Sequence, residues 1–162
     1  MLKKSSRLKV GATGRRFAIV ASCYNGKYVD GMVKAARAEL RLAGVTAVEV
    51  FRVPGAYEIP VVAAQLTRRT QGQRPAAVLC LGVIWQGATA HAQHIGEAIT
   101  EALMRLQVAT GVPCVHEVLL LQDEAQAKAR CLSRDTNRGT EAAQTAVAMA
   151  EILDRLGNHP PC

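Results

Sequence analysis

The chain has 162 residues, of which 49% are hydrophobic, and its formal net charge is +7. This length and apolar content suit one domain with a substantial core. The longest apolar runs, around 76–84 and 118–121, are much shorter than a membrane span, and the N-terminus lacks the apolar segment of a secretory signal. These observations argue against a membrane protein or an exported one, and we expect a cytoplasmic location.

The basic charge is concentrated at the N-terminus. Residues 1–16 carry six lysines and arginines and no acid, so the rest of the chain is nearly neutral. We expect a solvated basic tail over 1–16, one domain over 17–157 and a short C-terminal tail over 158–162. A polyanion-binding arm and an organelle transit peptide are alternatives for the basic tail. No nucleic-acid partner is expected for the domain.

The five cysteines predict neither a disulfide framework nor a zinc site. Their number is odd, no two form a C-x-x-C pair, and several stand inside apolar strand patterns. Such cysteines are typical of small, reduced core residues. They are Cys23, Cys80, Cys114, Cys131 and Cys162.

Apolar runs and helical periodicities alternate along the rest of the chain. Apolar, β-branched runs predict strands over 17–22, 48–53, 77–84 and 114–121. Apolar residues at helical spacing predict helices over 27–42, 57–70, from about 89 onward, 124–132 and 140–156, with a polar turn over 133–138. Strands separated by helices of this length form right-handed parallel crossovers. We therefore expect a flavodoxin-like three-layer αβα sandwich around a four-stranded parallel sheet.

The predicted strand ends bring unusual residues to one edge of this sheet. The four segments are 23–25, 54–58, 85–91 and 121–123, and each directly follows a strand. In an open parallel sheet, ligands bind beyond the carboxyl ends of the strands, where N–H groups at helix starts receive anions. An aromatic ring, a carboxylate, a helix start and a histidine therefore converge there, which predicts a binding site.

Several residues at this edge have both a functional and a structural interpretation. Gly87, Ala88 and Thr89 precede a helix, so they fit either a phosphate-binding turn or an ordinary helix cap. His91, expected one turn inside that helix, fits a general acid/base or a structural histidine. A metal pair of His91 with His94 is rejected because no third ligand has suitable spacing.

Two segments carry a specific family resemblance. They are the octapeptide Val53–Pro60, V-P-G-A-Y-E-I-P, and the stretch Gly82–His91, G-V-I-W-Q-G-A-T-A-H, and a third match is Asn137-Arg138-Gly139 with Arg130 before it. Over residues 17–156 the chain resembles the 6,7-dimethyl-8-ribityllumazine synthases. The resemblance implies a transferase of riboflavin biosynthesis that condenses 5-amino-6-(D-ribitylamino)uracil with 3,4-dihydroxy-2-butanone 4-phosphate, releasing phosphate and water. It implies no metal and no organic cofactor.

The resemblance also implies a role for each matching residue. His91 is the catalytic residue, and Tyr24 stacks on the uracil ring. Ala56, Tyr57 and Glu58 hold the ribityl chain, although Glu58 also suits the first turn of a helix. The backbone at Ile84 and Trp85 meets the pyrimidine edge. The phosphate is bound by Gly87, Ala88, Thr89 and an adjoining subunit's Arg130. The other substrate-binding positions are Asn25, Gly55, Gln86 and His116. The alternative for Asn25 is a purely structural turn residue.

Three positions depart from the family pattern. Gln86 stands where many members have arginine, and His116 stands where a neighbouring subunit usually offers phenylalanine. Leu120-Leu121-Gln122 replaces the more familiar Thr-Thr-Glu. These departures concern substrate affinity and leave the reaction class unchanged.

The resemblance further implies assembly, because the family's active sites lie between subunits. It predicts a homopentamer, with a 60-subunit icosahedral shell as an alternative that the short turn 133–138 permits. An N-terminal strand from a neighbour could extend the sheet, and riboflavin synthase is a candidate partner. A flavodoxin-like electron carrier is disfavoured because 23–27 lacks a Ser/Thr-rich phosphate cradle. A non-catalytic lumazine- or flavin-binding or shell-forming paralogue is the alternative function.

Overall fold

A four-stranded parallel sheet forms the centre of the molecule, as the alternating sequence pattern predicts. The structure, a computed structural model, describes residues 14–157. The strands are β1 (Arg16–Ser22), β2 (Ala47–Val53), β3 (Ala77–Trp85) and β4 (Cys114–Leu121), in the order β2-β1-β3-β4. Every neighbouring pair is parallel. Residues 1–13 of the expected N-terminal tail and all of 158–162, and with them a strand contributed to a neighbour by the N-terminus, lie outside the described residues. Arg16, the last residue of the expected tail, already belongs to β1.

Helices cover both faces of this sheet, which confirms the three-layer prediction. They are α1 (Gly26–Leu42), α2 (Ile59–Thr67), α3 (His91–Thr110), α4 (Glu124–Ala127) and α5 (Arg138–Gly157). Phe17 and Ile19 of β1 pack in the core on the side of α1 and α5, whereas Ala18 and Val20 pack in the core on the side of α2 and α3. A central parallel strand is buried on both faces, so its apolar run is continuous. None of the helices within 14–157 has the length and apolar character needed to cross a bilayer.

Several helix boundaries differ from the sequence prediction. The helix expected over 57–70 begins as a 3₁₀ turn, Ala56–Glu58, and ends at Thr67. The helix expected from about Thr89 begins two residues later, at His91. The segment expected as one helix over 124–132 is α-helical for a single turn and then continues as a π turn, Lys128–Leu132.

Side chains of the following loop explain why the π turn ends where it does. Asn137 donates from Nδ2 to the Cys131 carbonyl at 2.6 Å, and its Oδ1 accepts from the Gly139 N–H at 2.9 Å. These bonds start α5 at Arg138, two residues before the predicted start. They also tie the π turn to the beginning of α5.

Two glycines allow α1 to approach this region closely. A Cβ atom added to Gly31 would lie 2.4 Å from the Cys131 carbonyl oxygen, and one added to Gly139 would lie 2.0 Å from the Met32 carbonyl oxygen. Real side chains do not tolerate such distances. The π turn and α5 therefore pack directly against the backbone of α1.

Candidate active site

Asn25 forms the turn between β1 and α1 and links it to the end of β3. Its φ of 57° and ψ of 36° lie in the left-handed region, and it is the one non-glycine residue with positive φ within 14–157. Asparagine adopts this conformation more readily than most residues. Its Nδ2 donates to the Val83 carbonyl at 2.7 Å, and its Oδ1 accepts from Nε1 of Trp85 at 2.9 Å.

Tyr24 projects its ring beside the turn that follows β2. The Tyr24 N–H donates to the Pro54 carbonyl at 3.1 Å, and 68% of the residue is exposed. A Cβ atom added to Gly55 would lie 3.1 Å from Cδ2 of Tyr24. The glycine therefore lets the tyrosine ring lie close to the backbone, while much of the ring stays open to solvent.

Glu58 closes the turn after β2 from within the chain. Its Oε2 accepts from the Gly55 N–H at 2.8 Å, across the 3₁₀ turn Ala56–Glu58. Ala56 is buried, whereas Tyr57 is exposed. The carboxylate thus has the turn-stabilising role that its position predicts, and its second oxygen can still accept a hydrogen bond from a ligand hydroxyl.

The loop between β3 and α3, residues 86–90, is exposed along its whole length. The Gln86 N–H donates to the Leu121 carbonyl at 2.8 Å, which ties the start of the loop to the end of β4. The N-cap of α3 is Ala90, and no side chain caps the helix. The interpretation of Thr89 as an ordinary helix cap is therefore wrong. The first N–H groups of α3 lack a side-chain acceptor and can receive an anion.

His91 is the first residue of α3, and the expectation that it lies one turn inside the helix is wrong. The first helical bond of this region runs from the His94 N–H to the Ala90 carbonyl at 3.0 Å, and Ala90, with φ −70° and ψ −1°, is the N-cap. The side chain of His91 is exposed beside the loop over residues 86–90. It therefore starts the same helix whose N–H groups face the loop.

Arg130 lies on the outer side of the β4 end. It is an exposed residue of the π turn. With Gln126 and the leucines 119–121 it lines a cavity of about 370 Å³. The Arg130 guanidinium is thus available at the flank of the molecule beyond the edge strand.

His116 does not join the other predicted site residues. It lies five residues before the end of β4, on the order of 16 Å from the edge where they gather. Its Nε2 is 3.0 Å from the Thr100 hydroxyl of α3. Burial lowers the pKa of its imidazole, so the neutral form is favoured.

Sequence reasoning missed a polar group behind Trp85. Tyr28 meets the indole edge-on, with ring centroids 5.7 Å apart, and its hydroxyl donates to Oε1 of Glu124 at 2.9 Å. Lys27 and Lys128 also contact this carboxylate. The hydrogen bond from Tyr28, helped by Lys128, lowers the pKa of Glu124. The spacing of Tyr28 from Met32 and Ala36 is the signal that could have identified it as an inward-facing residue.

The structure thus brings most of the predicted residues to one edge of the sheet. Asn25 and Trp85 are directly bonded, Tyr24 and Glu58 both lie against Gly55, and residues 86–91 continue from the end of β3. His116 lies apart, and Arg130 lies on the flank. No three histidine, cysteine or acidic side chains within 14–157 come together as a group that could hold a metal.

A family model described as 6,7-dimethyl-8-ribityllumazine synthase matches residues 14–154. The chain belongs to the 6,7-dimethyl-8-ribityllumazine synthase family. Proteins of this name from Stenotrophomonas maltophilia and Xanthomonas campestris are 38% and 37% identical to it, over 87% and 89% of this chain and 90% and 93% of their own. One from Kineococcus radiotolerans is 39% identical over 96% of this chain and 94% of its own. The expected class is confirmed: as a member of this family, the chain is a transferase of riboflavin biosynthesis.

Proposed function

We propose that the carboxyl edge of the sheet holds the two substrates of the lumazine synthase reaction in contact and moves protons between them. The observation that carries this proposal is the junction at β3. Two parts of the site meet at this junction. One is the corner formed by Tyr24, Asn25 and Gly55–Glu58, and the other is the start of α3, which no side chain caps. One half suits a planar polar ring with a hydroxylated chain, and the other suits a phosphate.

The corner binds 5-amino-6-(D-ribitylamino)uracil. The open ring of Tyr24 stacks on the pyrimidine, as aromatic side chains do on flat heterocycles. The ribityl hydroxyls bond to the free oxygen of Glu58 and to the backbone at Ala56 and Tyr57. The backbone at Ile84 and Trp85 meets the edge of the pyrimidine.

The start of α3 binds the phosphate of 3,4-dihydroxy-2-butanone 4-phosphate. Gly87 and Ala88 are small enough for the backbone to approach the anion, and the Thr89 hydroxyl and the first N–H groups of α3 donate to it. Gln86 contributes a neutral amide where many relatives place a cation. The charge that balances the phosphate then has to come from elsewhere, and Arg130 supplies it.

His91 moves the protons of the condensation. The substrate amine attacks the ketone carbon, and the imidazole carries one amine proton to the ketone oxygen, which gives the carbinolamine. It then carries the second amine proton to that hydroxyl, which leaves as water as the imine forms. Phosphate elimination and ring closure need further transfers of the same kind. Most of the rate acceleration comes from holding amine and ketone together, which can supply on the order of 7 kcal/mol.

Arg130 and His116 act in a neighbouring subunit's site, because Arg130 lies on the flank beyond the edge strand and His116 lies five residues before the end of β4. Arg130 reaches the neighbour's phosphate, and His116 lies over the neighbour's pyrimidine ring. Apolar surface supports such an interface: 77% of Val108 and 56% of Met104, both on α3, are exposed. The assembly is a homopentamer of single domains spanning 17–157 in the cytoplasm, and a 60-subunit shell is the alternative assembly. Riboflavin synthase is its candidate partner.

Two experiments test this proposal: an activity assay tests the reaction, and subunit mixing tests whether two chains share one site. Product fluorescence is measured with the two substrates against the rate without enzyme. A rate equal to that background, in folded protein, would leave a non-catalytic binding or shell-forming paralogue as the better reading.

Mixing then tests the shared site. His91→Ala and Arg130→Ala subunits are unfolded together and refolded in equal amounts. Because each position is wild type in half of the subunits, mixed rings recover about a quarter of the wild-type activity if the two residues serve one site from different chains. A mixture in which Arg134→Ala subunits replace the Arg130→Ala subunits is the matched control, because it removes a nearby cation and keeps Arg130. No recovery above the separate variants would contradict the shared site.

A further inference from the structure

We propose that Asn25 is a positioning residue, which fixes Trp85 and the backbone at the end of β3 for the pyrimidine substrate, and does not act as a direct ligand. This inference rests on the proposed function of the site. It starts from the two hydrogen bonds that the Asn25 amide makes across the sheet, to the Val83 carbonyl at 2.7 Å and from the Trp85 indole at 2.9 Å.

The chemistry of the two partners fixes the orientation of this amide. An indole N–H can only donate and a carbonyl can only accept, so Oδ1 must face Trp85 and Nδ2 must face Val83. Reversing the amide would break both bonds. Asn25 therefore presents one defined arrangement in the absence of any substrate.

The two bonds hold the segment that the pyrimidine is proposed to contact. Val83 and Trp85 stand on either side of Ile84, so the amide holds the main chain at Val83 and the side chain at Trp85. Tyr28 supports the other side of the indole, with ring centroids 5.7 Å apart. The affinity for a flat ring that forms hydrogen bonds with backbone groups at this position depends on where those groups lie, because hydrogen bonds weaken steeply with misalignment.

Three substitutions separate positioning from direct binding. Asn25→Gly keeps the left-handed backbone and removes the amide. Asn25→Asp keeps an acceptor for the indole and loses the donor to Val83. Trp85→Phe keeps an aromatic ring against Tyr28 and removes the indole N–H. None of the three requires the turn to change its backbone conformation.

Steady-state kinetics give the first readout. Asn25→Gly is expected to raise KM for the pyrimidine about tenfold, the equivalent of one lost hydrogen bond, with KM for the phosphate substrate unchanged. Trp85→Phe is expected to raise the same KM, and the double variant is expected to match Asn25→Gly alone. Two outcomes would assign Asn25 to direct binding and overturn the inference. One is that the KM effects of the two substitutions add in the double variant. The other is that Asn25→Gly abolishes pyrimidine binding while Trp85→Phe leaves KM unchanged.

Fluorescence gives the second readout, since Trp85 is the only tryptophan of the chain. Asn25→Gly is expected to shift its emission in substrate-free protein, because the indole N–H loses the Asn25 acceptor, and Asn25→Asp, which keeps an acceptor, is expected to shift it less. An emission unchanged by Asn25→Gly would show that this bond does not position the indole, and it would overturn the inference. Wild-type protein without turnover would contradict the proposed function. Wild-type turnover with an unaltered Asn25→Gly variant would contradict the positioning role alone.

Discussion

The two halves of the candidate site are built differently. The corner around Asn25, Gly55 and Glu58 is held by hydrogen bonds within its own chain, at 2.7–2.9 Å. The loop over residues 86–90 is exposed, and the helix that follows it has no side-chain cap. The first half is therefore organised before substrate arrives, whereas the second offers donors and lacks a balancing charge.

This difference suggests where each part of the substrate-binding energy arises. A neutral ring with hydroxyls needs shape and fixed hydrogen bonds, which one chain can provide by itself. A phosphate dianion needs cationic charge in addition to N–H groups. The flank position of Arg130 is consistent with the proposal that a neighbouring subunit completes the phosphate half.

The largest effect on activity is expected from a substitution beside the loop over residues 86–90. His91→Ala should lower kcat about a hundredfold, because it removes the proposed proton carrier, and should leave a rate above the uncatalysed background, because positioning remains. Single-turnover measurements with both substrates saturating provide the test. His94→Ala removes an exposed histidine one turn away and serves as the control. A fully active His91→Ala variant would refute the proton-transfer role.

A smaller effect is expected from the corner, at Gly55. An added Cβ would lie 2.9 Å from Oε2 of Glu58 and 3.1 Å from the Tyr24 ring, so both side chains must shift. Gly55→Ala should lower kcat/KM about tenfold through KM for the pyrimidine and cost about 1–3 kcal/mol of stability. Kinetics and urea unfolding measure the two effects.

Gly96→Ala is the matched control for that substitution. Gly96 lies in α3, and a Cβ there meets nothing within 4 Å. Alanine in a helix should leave the kinetics unchanged and slightly raise stability. If Gly55→Ala behaved in the same way, the corner would be more adaptable than its hydrogen bonds indicate.

The smallest effect concerns His116, which belongs to neither half of its own chain's site. Its pKa is lowered by burial from an ordinary value of 6.5, so the folded state disfavours the proton. The resulting stability is present above pH 6.5 and is lost as pH falls through the folded-state pKa. In wild-type protein the free energy of unfolding should therefore fall on acidification.

Replacing the imidazole isolates that contribution. His116→Gln should flatten the pH dependence of urea unfolding below pH 6.5, relative to wild type. Two curves that stay parallel throughout that range would show that the histidine does not titrate differently in the folded state.

The sequence was sufficient for the layers of the fold because each core strand and helix carries its own apolar periodicity. β1 and β3 are continuous apolar runs, which buried parallel strands require. It was less informative at helix ends, where tertiary hydrogen bonds decide the boundary. Asn137 sets the start of α5 through contacts with Cys131 and Gly139. The π turn has no comparable periodic signal.

At the candidate site, residue types and strand ends were predictable, and their bonding was not. Placing Tyr24, Gly55, Glu58 and His91 at one edge needs only the parallel topology. The bonds from Asn25 to Val83 and Trp85 connect residues about sixty positions apart. No local pattern in the sequence encodes such pairing.

The absence of side chains at two positions of the α1 contact determines where Arg130 stands. Gly31 and Gly139 let the π turn and α5 rest on the backbone of α1, with no room for even a methyl group. Alanine at either glycine would add that methyl group and would displace the Arg130 guanidinium, which neither glycine contacts. In the proposed assembly, the position of Arg130 relative to the next subunit would therefore be set in the interior, by two residues that contribute only main chain.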